Sequence, residues 1–441
     1  MKISETLSNS FKKEFEELLT QRMIKLGLVQ DANELHSDRF LKRAVVPHIL
    51  KLSRLFNRQQ NFEQDDRSID NYWRKSSNTL NFKRAYFLGF MPPNAARIAN
   101  IWEELQTLGF KPSWDDCRAI EWGGACASGA TGIEWAEKIN TPILPSKRNW
   151  ALIDQDATLL KWGEQWLNDI HASVSSAEDA QWNIRTFQRK IDPQKGLLPI
   201  KSPKFHLWIM SFFLNEFEWE TDEWDAKKWV DTLVTSWERH LEKEGIVIIV
   251  EPALKQESRQ LLTFRKELLD KISKKNSKTS SYKVLLPCLG HQVCGALENP
   301  KDWCHEVTNW WRPHYLQKLD ELCKLDHKSL AMSYLVIMKT KKNIEEILPC
   351  LKDSSSEKNQ RYRLVSPARS IGKDQEFFVC GQTGKHRCLW RKNKGKTANQ
   401  KELERGTILE NVVFEEEKIN KKNSSNVKKI KRIKSFNHSS R

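Results

Sequence analysis

Phe11, Phe15, Leu18 and Leu19, and later Val45, Ile49, Leu52 and Leu55, recur three or four residues apart, the spacing of one buried helix face. A turn at Met91-Pro92-Pro93 leads into a further amphipathic stretch, with Ile98, Ile101, Trp102 and Leu105 on one side, and Gly109 ends it. The region 1–116 is therefore expected to be helical. From Cys117 the period shortens. Apolar runs at Arg118–Trp122, Trp150–Ile153, Phe205–Leu214 and Gly245–Val250 alternate with helix-like stretches such as Thr158–Ile170 and Lys227–Leu241. Strand and helix in alternation predict right-handed crossovers and a mostly parallel sheet, an α/β core over 117–275.

Lys271–Ser281 is a polar run and reads as a linker. Beyond it lie a cysteine-containing stretch (288–304), a helix-like Arg312–Leu325, and β-rich runs at Ser333–Met338, Tyr362–Val365 and Phe377–Cys380, with a polar break at Ser354–Gln360. These form an expected cysteine-rich, β-containing domain over 282–417, followed by a polar tail, 418–441.

The chain has 441 residues, 39% of them apolar, and a net charge of +16. That length allows a sizeable core and more than one domain, and excludes disorder throughout. No apolar run approaches the ~20 residues of a membrane span, so no membrane partner is expected. The charge is uneven: the tail carries nine Lys and Arg and no acid, leaving +7 on the rest. A tail of this kind is expected to lack structure and to seek a polyanion, the competing reading being a solvated segment that aids solubility. The amino terminus mixes Lys12 and Lys13 with Glu5, Glu14, Glu16 and Glu17. It has neither the apolar core of a secretory signal nor the acid-poor character of a mitochondrial presequence. A cytoplasmic monomer is the expectation, with the mitochondrial matrix as the alternative location. Nine cysteines in a reducing compartment then suggest free thiols, metal ligands or catalytic groups.

Glu121-Trp-Gly123-Gly124-Ala125-Cys126-Ala127-Ser128-Gly129 follows one predicted strand and precedes the helix-like Thr131–Lys138. Small residues let the backbone turn tightly against a ligand, and the next helix offers free N–H groups. Asp154 ends the following strand, where a carboxylate can accept both hydroxyl hydrogens of a ribose. The competing reading is a tight packing turn. Farther on, Cys288, Cys294 and Cys304 lie within seventeen residues broken by Gly and Pro, a set of thiolates able to fold around a soft metal. Cys380 is the best candidate for a fourth ligand, with Cys388 and His305 as substitutes. The close cysteine pair usual in structural zinc sites is missing, whereas an iron–sulfur cluster tolerates wider spacing. Three unrelated buried thiols are the plain alternative.

The E-x-G-x-small-x-small pattern with a later Asp resembles the first two motifs of Rossmann-like S-adenosylmethionine-dependent methyltransferases. Taken in order, the segments resemble the Rsm-type methyltransferase-like family of ribosomal small-subunit assembly proteins, mitochondrial and bacterial. The matching segments are Tyr86–Pro92, Glu121–Gly129, Ser211–Glu216, Ile249-Val250-Glu251-Pro252 with Ser258-Arg259 and Arg265, Pro287–His305, Ser333-Tyr334-Leu335, and Val379-Cys380 with Gly384. Ala125, Ala127 and Ala253 stand where that family usually has glycine. The resemblance implies S-adenosylmethionine bound near Glu121, Gly123, Ala125 and Asp154. It also implies a 4Fe-4S cluster on Cys288, Cys294, Cys304 and Cys380, with zinc as the alternative. The partner it implies is small-subunit ribosomal RNA or the assembling subunit. An rRNA methyltransferase would place its substrate near Asn215 and Glu216, for which an ordinary loop cap is an equal reading. The competing class is a non-catalytic assembly factor that keeps the methyltransferase fold.

Overall fold

The computed structural model describes residues 9–56, 79–174, 181–190, 198–199, 201–216, 225–273, 281–290, 292–354, 361–391, 404–414 and 427–435. They form two compact units, one of residues 1–104, 112–222 and 308–330, the other of 105–111, 223–307 and 331–441.

In the first unit lie helices α1 (Asn9–Lys25), α2 (Asp38–Ala44), α3 (Val46–Phe56), α4 (Thr79–Gly89) and α5 (Met91–Thr107). Of the faces that the spacing predicts, Phe15 and Leu19 of α1, Ile49 and Leu52 of α3, and Ile98, Ile101, Trp102 and Leu105 of α5 are buried, while Phe11 and Leu18 are half-buried. The prolines at 92 and 93 fall in the first turn of α5, where a missing N–H costs nothing. Strands β1 (Cys117–Trp122), β2 (Arg148–Asp154), β3 (Trp182–Gln188) and β4 (Phe205–Ser211) run parallel in the order β3-β2-β1-β4. Helix α6 (Ser128–Ile139) joins β1 to β2, and α7 (Ala157–Val174) joins β2 to β3. The apolar pattern misses β3, an edge strand whose residues alternate between half-buried and exposed and include no apolar run.

Packing around α6 is close and partly polar. Phe15 of α1 stacks on Trp135 of α6 at 4.6 Å between ring centroids. Buried Glu134 pairs with Arg148 of β2 and accepts from Trp150 Nε1 at 3.0 Å, while Glu137 accepts from Trp102 Nε1 of α5 at 2.7 Å. Each buried charge thus meets an opposite charge or a donor, as burial requires.

In the second unit, α8 (Ala226–His240) precedes β5 (Leu241–Glu251), and α9 (Lys255–Ser273) and β6 (Tyr282–Leu286) follow it. The chain between 308 and 330, which holds the end of β7 (Glu306–Asn309) and α10 (His314–Cys323), belongs to the first unit; strand β8 (Ser329–Lys339) then runs antiparallel between β5 and β6. The α/β sheet therefore continues beyond residue 275, where the pattern alone ends it. The cysteine stretch is an excursion that leaves the sheet at the end of β6. Strand order 3-2-1-4 in the first unit, with 5-8-6 and a reversed β8 in the second, is the Rossmann-like S-adenosylmethionine methyltransferase fold, with a mostly parallel sheet.

After the short α11 (Ile344–Ile347), strands β9 (Tyr362–Leu364), β10 (Arg369–Ile371), β11 (Asp374–Gly381), β12 (Gly384–Arg391), β13 (Ile408–Phe414) and β14 (Val427–Ser435) form a second sheet. Its core is Tyr362, Leu364, Phe377, Val379, Cys388 and Leu409. Strand β14 corrects the expectation of an unstructured tail: its backbone pairs on both sides, with β12 and with β13, and this satisfies the polar groups of the chain whatever its side-chain charge. Residues 418–426 and 436–441 of the tail, and 274–280 and 355–360 of the two polar breaks, lie outside the described residues. No helix among those described is long and apolar enough to cross a membrane.

Gly132 of α6 faces α5 so closely that a Cβ there would meet Ala95 O, Ile98 Cβ and the Ala99 backbone N. Gly132→Ala should destabilise the first unit by about 1–3 kcal/mol, read as a shift of its denaturant midpoint at unchanged slope.

Candidate functional site

The loop after β1 is held by a carboxylate. Glu121, fully buried, accepts the Gly129 N–H at 2.7 Å and the Ala130 N–H at 2.8 Å, so both its oxygens cap the first turn of α6. A Cβ on Gly129 would stand 2.9 Å from that carboxyl group, so glycine admits it. Burial pushes the Glu121 pKa up to about 7, against the pull of the two N–H donors. Gly123, at φ +67°, starts the turn, and Cys126 and Ala127 follow at φ 62° and 54°. A side chain in this left-handed region costs of order 1–3 kcal/mol, and the surrounding contacts must hold it there. One such contact is Gly163 of α7, where a Cβ would lie 2.9 Å from the Ala127 backbone N. A lone glycine inside the Thr158–Ile170 helix pattern is the sequence signal for this approach.

Asp154, at the end of β2, accepts from Ala125 N at 3.2 Å and from Asp156 N at 2.9 Å, one N–H to each oxygen. Each oxygen keeps acceptor capacity, and the residue is only partly buried. Burial and the nearby Asp156 raise its pKa to about 6. Asp156 in turn pairs with Lys83 of α4 at 2.9 Å, a cation that the sequence gives no reason to single out. The structure thus gathers Glu121, Gly123, Ala125 and Asp154 at the carboxyl ends of β1 and β2, where ligands of doubly wound sheets bind. Asn215 is buried in the 3-10 turn Leu214–Glu216 that follows β4. The side chain of Glu216 lies outside the described residues.

The second unit brings its cysteines together. Cys304 feels the charges of Cys288, Cys380 and Cys294, and Cys380 those of Cys288 and Cys294. Burial, then this mutual repulsion, pushes the Cys304 thiol well up and that of Cys380 to about 12. Opposing this, the Gly295 N–H favours the Cys380 thiolate, the Leu297 and Ala296 N–H groups favour that of Cys294, and Arg265, fully buried, favours both. Ser258, Cys288, Cys304, His305, Ser333 and Tyr334 line part of one small pocket. His305 is close by, its Nδ1 buried without a partner, and burial lowers its pKa to about 4. Cys388 points elsewhere, into the core of the β9–β14 sheet. Among the described residues no three His, Cys, Asp or Glu side chains are disposed to hold a single metal ion.

No curated protein matches this sequence. Solved structures similar to it include a Listeria monocytogenes protein described as a class I S-adenosylmethionine-dependent methyltransferase, 12% identical over 76% of this chain and 90% of that one, with a TM-score of 0.35. The plantazolicin methyltransferase BpumL with SAH is 10% identical over 75% and 98%, at 0.29. The Methanococcus jannaschii fibrillarin pre-rRNA processing protein is 11% identical over 56% and 77%, also at 0.29. The family model for the mitochondrial small ribosomal subunit protein Rsm22 matches residues 127–406. That match takes in more than half of the sequence, from the end of the loop after β1 through the cysteine stretch, and the chain belongs to the Rsm22 family.

Proposed function

We propose that this protein is an S-adenosylmethionine-dependent methyltransferase of the mitochondrial small ribosomal subunit, working on its ribosomal RNA, and that its clustered cysteines carry a 4Fe-4S cluster. The family's description agrees with the matrix alternative for location rather than with the cytoplasm. The observation that carries the cofactor reading is Asp154, a partly exposed carboxylate held by two backbone N–H groups beside the Gly123–Ala127 turn. S-adenosylmethionine, when bound, supplies an electrophilic methyl group. Asp154 would accept from its ribose hydroxyls, the Gly123-Gly124-Ala125 backbone would line it, and Glu121 would keep that backbone in place. Asn215, in the turn after β4, would orient a base, and the acceleration would come chiefly from alignment. A second reading, a non-catalytic rRNA-binding assembly factor, is favoured by the methyl groups of Ala125 and Ala127 and by the close packing of Gly163 on the loop.

Cys294, Cys304 and Cys380, whose thiols burial pushes up, lie with Cys288 in a setting that fits a centre whose positive charge offsets that burial. The thiols lie within electrostatic reach of one another, and a soft metal centre would take them as thiolates. Cys288, Cys294, Cys304 and Cys380 would be the ligands, with His305 beside them and Cys388 excluded by its place in the core of the β9–β14 sheet.

Calorimetric titration of the folded protein with S-adenosylmethionine should show binding, weakened about 10- to 150-fold in Asp154→Ala through loss of a charged acceptor. Affinity should fall as pH drops from 8 to 5, because Asp154 takes up a proton near 6 and loses acceptor capacity, and Asp154→Asn should flatten that dependence. No binding by well-folded wild-type protein would leave the assembly-factor reading.

Anaerobically purified protein should be brown, with iron and sulfide in near-equal amounts. Cys380→Ser should lose iron and Cys388→Ala should keep it. Stoichiometric zinc without sulfide would refute the cluster.

A further inference from the structure

The β9–β14 sheet carries chemistry that neither the cofactor loop nor the cysteines use. Its pairings close a ring: β9 with β11, β11 with β12, β12 with β14, β14 with β13, and β13 with β9. All are antiparallel except β12 with β14. This is the connectivity of the OB-fold, a five-stranded Greek-key barrel, with β9, β11, β12, β13 and β14 as its successive strands and β10 inserted in its first loop. OB barrels bind oligonucleotides and oligosaccharides across the second and third strands and the loops beside them. Fold alone assigns no ligand, so the residues must decide.

Phe377, Val379 and Cys388 point into the barrel. By alternation Glu376, Phe378 and Cys380 of β11 and Lys385, Arg387 and Leu389 of β12 face outward. The turn end of this face, at Gly384 and Lys385, packs against Gly295 of the cysteine stretch, and Lys385 pairs with Asp302. Farther along, Phe378 is half-buried with Lys385 Nζ 5.0 Å from its ring centroid, and exposed Arg387 pairs with Glu376. On the β11 side, the β10 hairpin exposes Arg369, Ile371 and Lys373, an apolar side chain between two cations, with Ile371 48% exposed. On the β12 side runs β14, with Lys428, Lys429, Lys431, Arg432 and Lys434 and no acid. Residues 361–441 hold 21 Lys and Arg against 8 Asp and Glu, and so carry +13 of the chain's +16.

Exposed Arg369, Lys373 and Arg387 offer cations to phosphate, and an aromatic ring beside cations is a platform for an unpaired base. A duplex keeps its base faces stacked inside and offers nothing to Phe378. We propose that the barrel binds single-stranded RNA across β11 and β12, with Phe378 as the base platform, the β10 hairpin at one edge and β14 at the other. This deepens the ribosomal RNA reading by giving it a surface, and it requires neither S-adenosylmethionine nor methyl transfer.

The test is fluorescence anisotropy of the full-length protein with a labelled RNA oligonucleotide, alone and annealed to its complement. The single strand should bind more tightly than the duplex. Phe378→Ala should weaken it about 5- to 150-fold, the equivalent of one base stack, and Phe378→Trp should retain it. Arg369→Gln with Lys373→Gln, two exposed cations of the β10 hairpin, should reduce the slope of log affinity against log salt by roughly 0.7 for each phosphate no longer neutralised. Equal binding of duplex and single strand, wild-type affinity in Phe378→Ala, equal loss in Phe378→Trp, or no binding at all would each overturn the proposal. Failure of the calorimetric titration with S-adenosylmethionine would leave it standing, so the two readings fail separately.

Discussion

Both carboxylate oxygens of Glu121 accept N–H groups from the first turn of α6, in a place that water does not reach. Two covalently distant pieces of backbone, the end of β1 and the start of the next helix, are thereby tied at a fixed separation. The turn between them must fit that separation in very few residues, and it does so by putting Gly123, Cys126 and Ala127 in the left-handed region. The same tie directs the Ala125 N–H at Asp154 across the parallel β1–β2 pair. A raised pKa near 7 is the thermodynamic sign of this arrangement: burial disfavours the charge and the helix N–H groups restore only part of what water would give. The small-residue loop is thus a consequence of where one buried acid must sit.

The cysteine stretch follows a comparable rule with the opposite outcome. Glu121 finds its donors within the fold, whereas Cys288, Cys294, Cys304 and Cys380 find chiefly one another, a few backbone N–H groups and the charge of buried Arg265. Burial first, and then the like groups beside them, raise the pKa of Cys294, Cys304 and Cys380, and a cationic centre would offset both. Close packing of the β11–β12 turn on Gly295 accompanies the approach of Cys380 to within electrostatic reach of the other three thiols.

What the sequence reveals depends on how local the deciding interaction is. The ends of β1 and β2, with Glu121 and Asp154, are legible because strand, turn and helix follow one another within a few residues. The role of Glu121 is less so: nothing in the spacing says that its carboxylate faces α6 rather than a ligand. Strands β6 and β8 are read as part of a separate domain because β8 joins β5 only after an excursion of more than forty residues. Strand β3 escapes because an edge strand needs no continuous apolar run. Strand β14 escapes because its partners β12 and β13 satisfy its backbone, and backbone pairing leaves no mark in a run of lysines. Cys380 and Cys388 look alike in sequence; only the register, with Cys388 opposite Phe377 inside the barrel, separates them.

The charge distribution follows from the same division of labour. With +13 on residues 361–441, everything before them carries only +3. Counterion release scales with the number of phosphates neutralised, so residues 361–441 would supply most of any non-specific affinity for RNA and the rest of the chain little of it. A site that must choose a substrate by shape gains from such an arrangement. Affinity comes from a surface that does not read the reacting base, and the cofactor loop remains free of the long-range attraction that would draw every phosphate to it. The stacking platform at Phe378 adds a requirement that charge alone cannot impose, an accessible base face, and so confines the barrel to unpaired segments of a folded RNA.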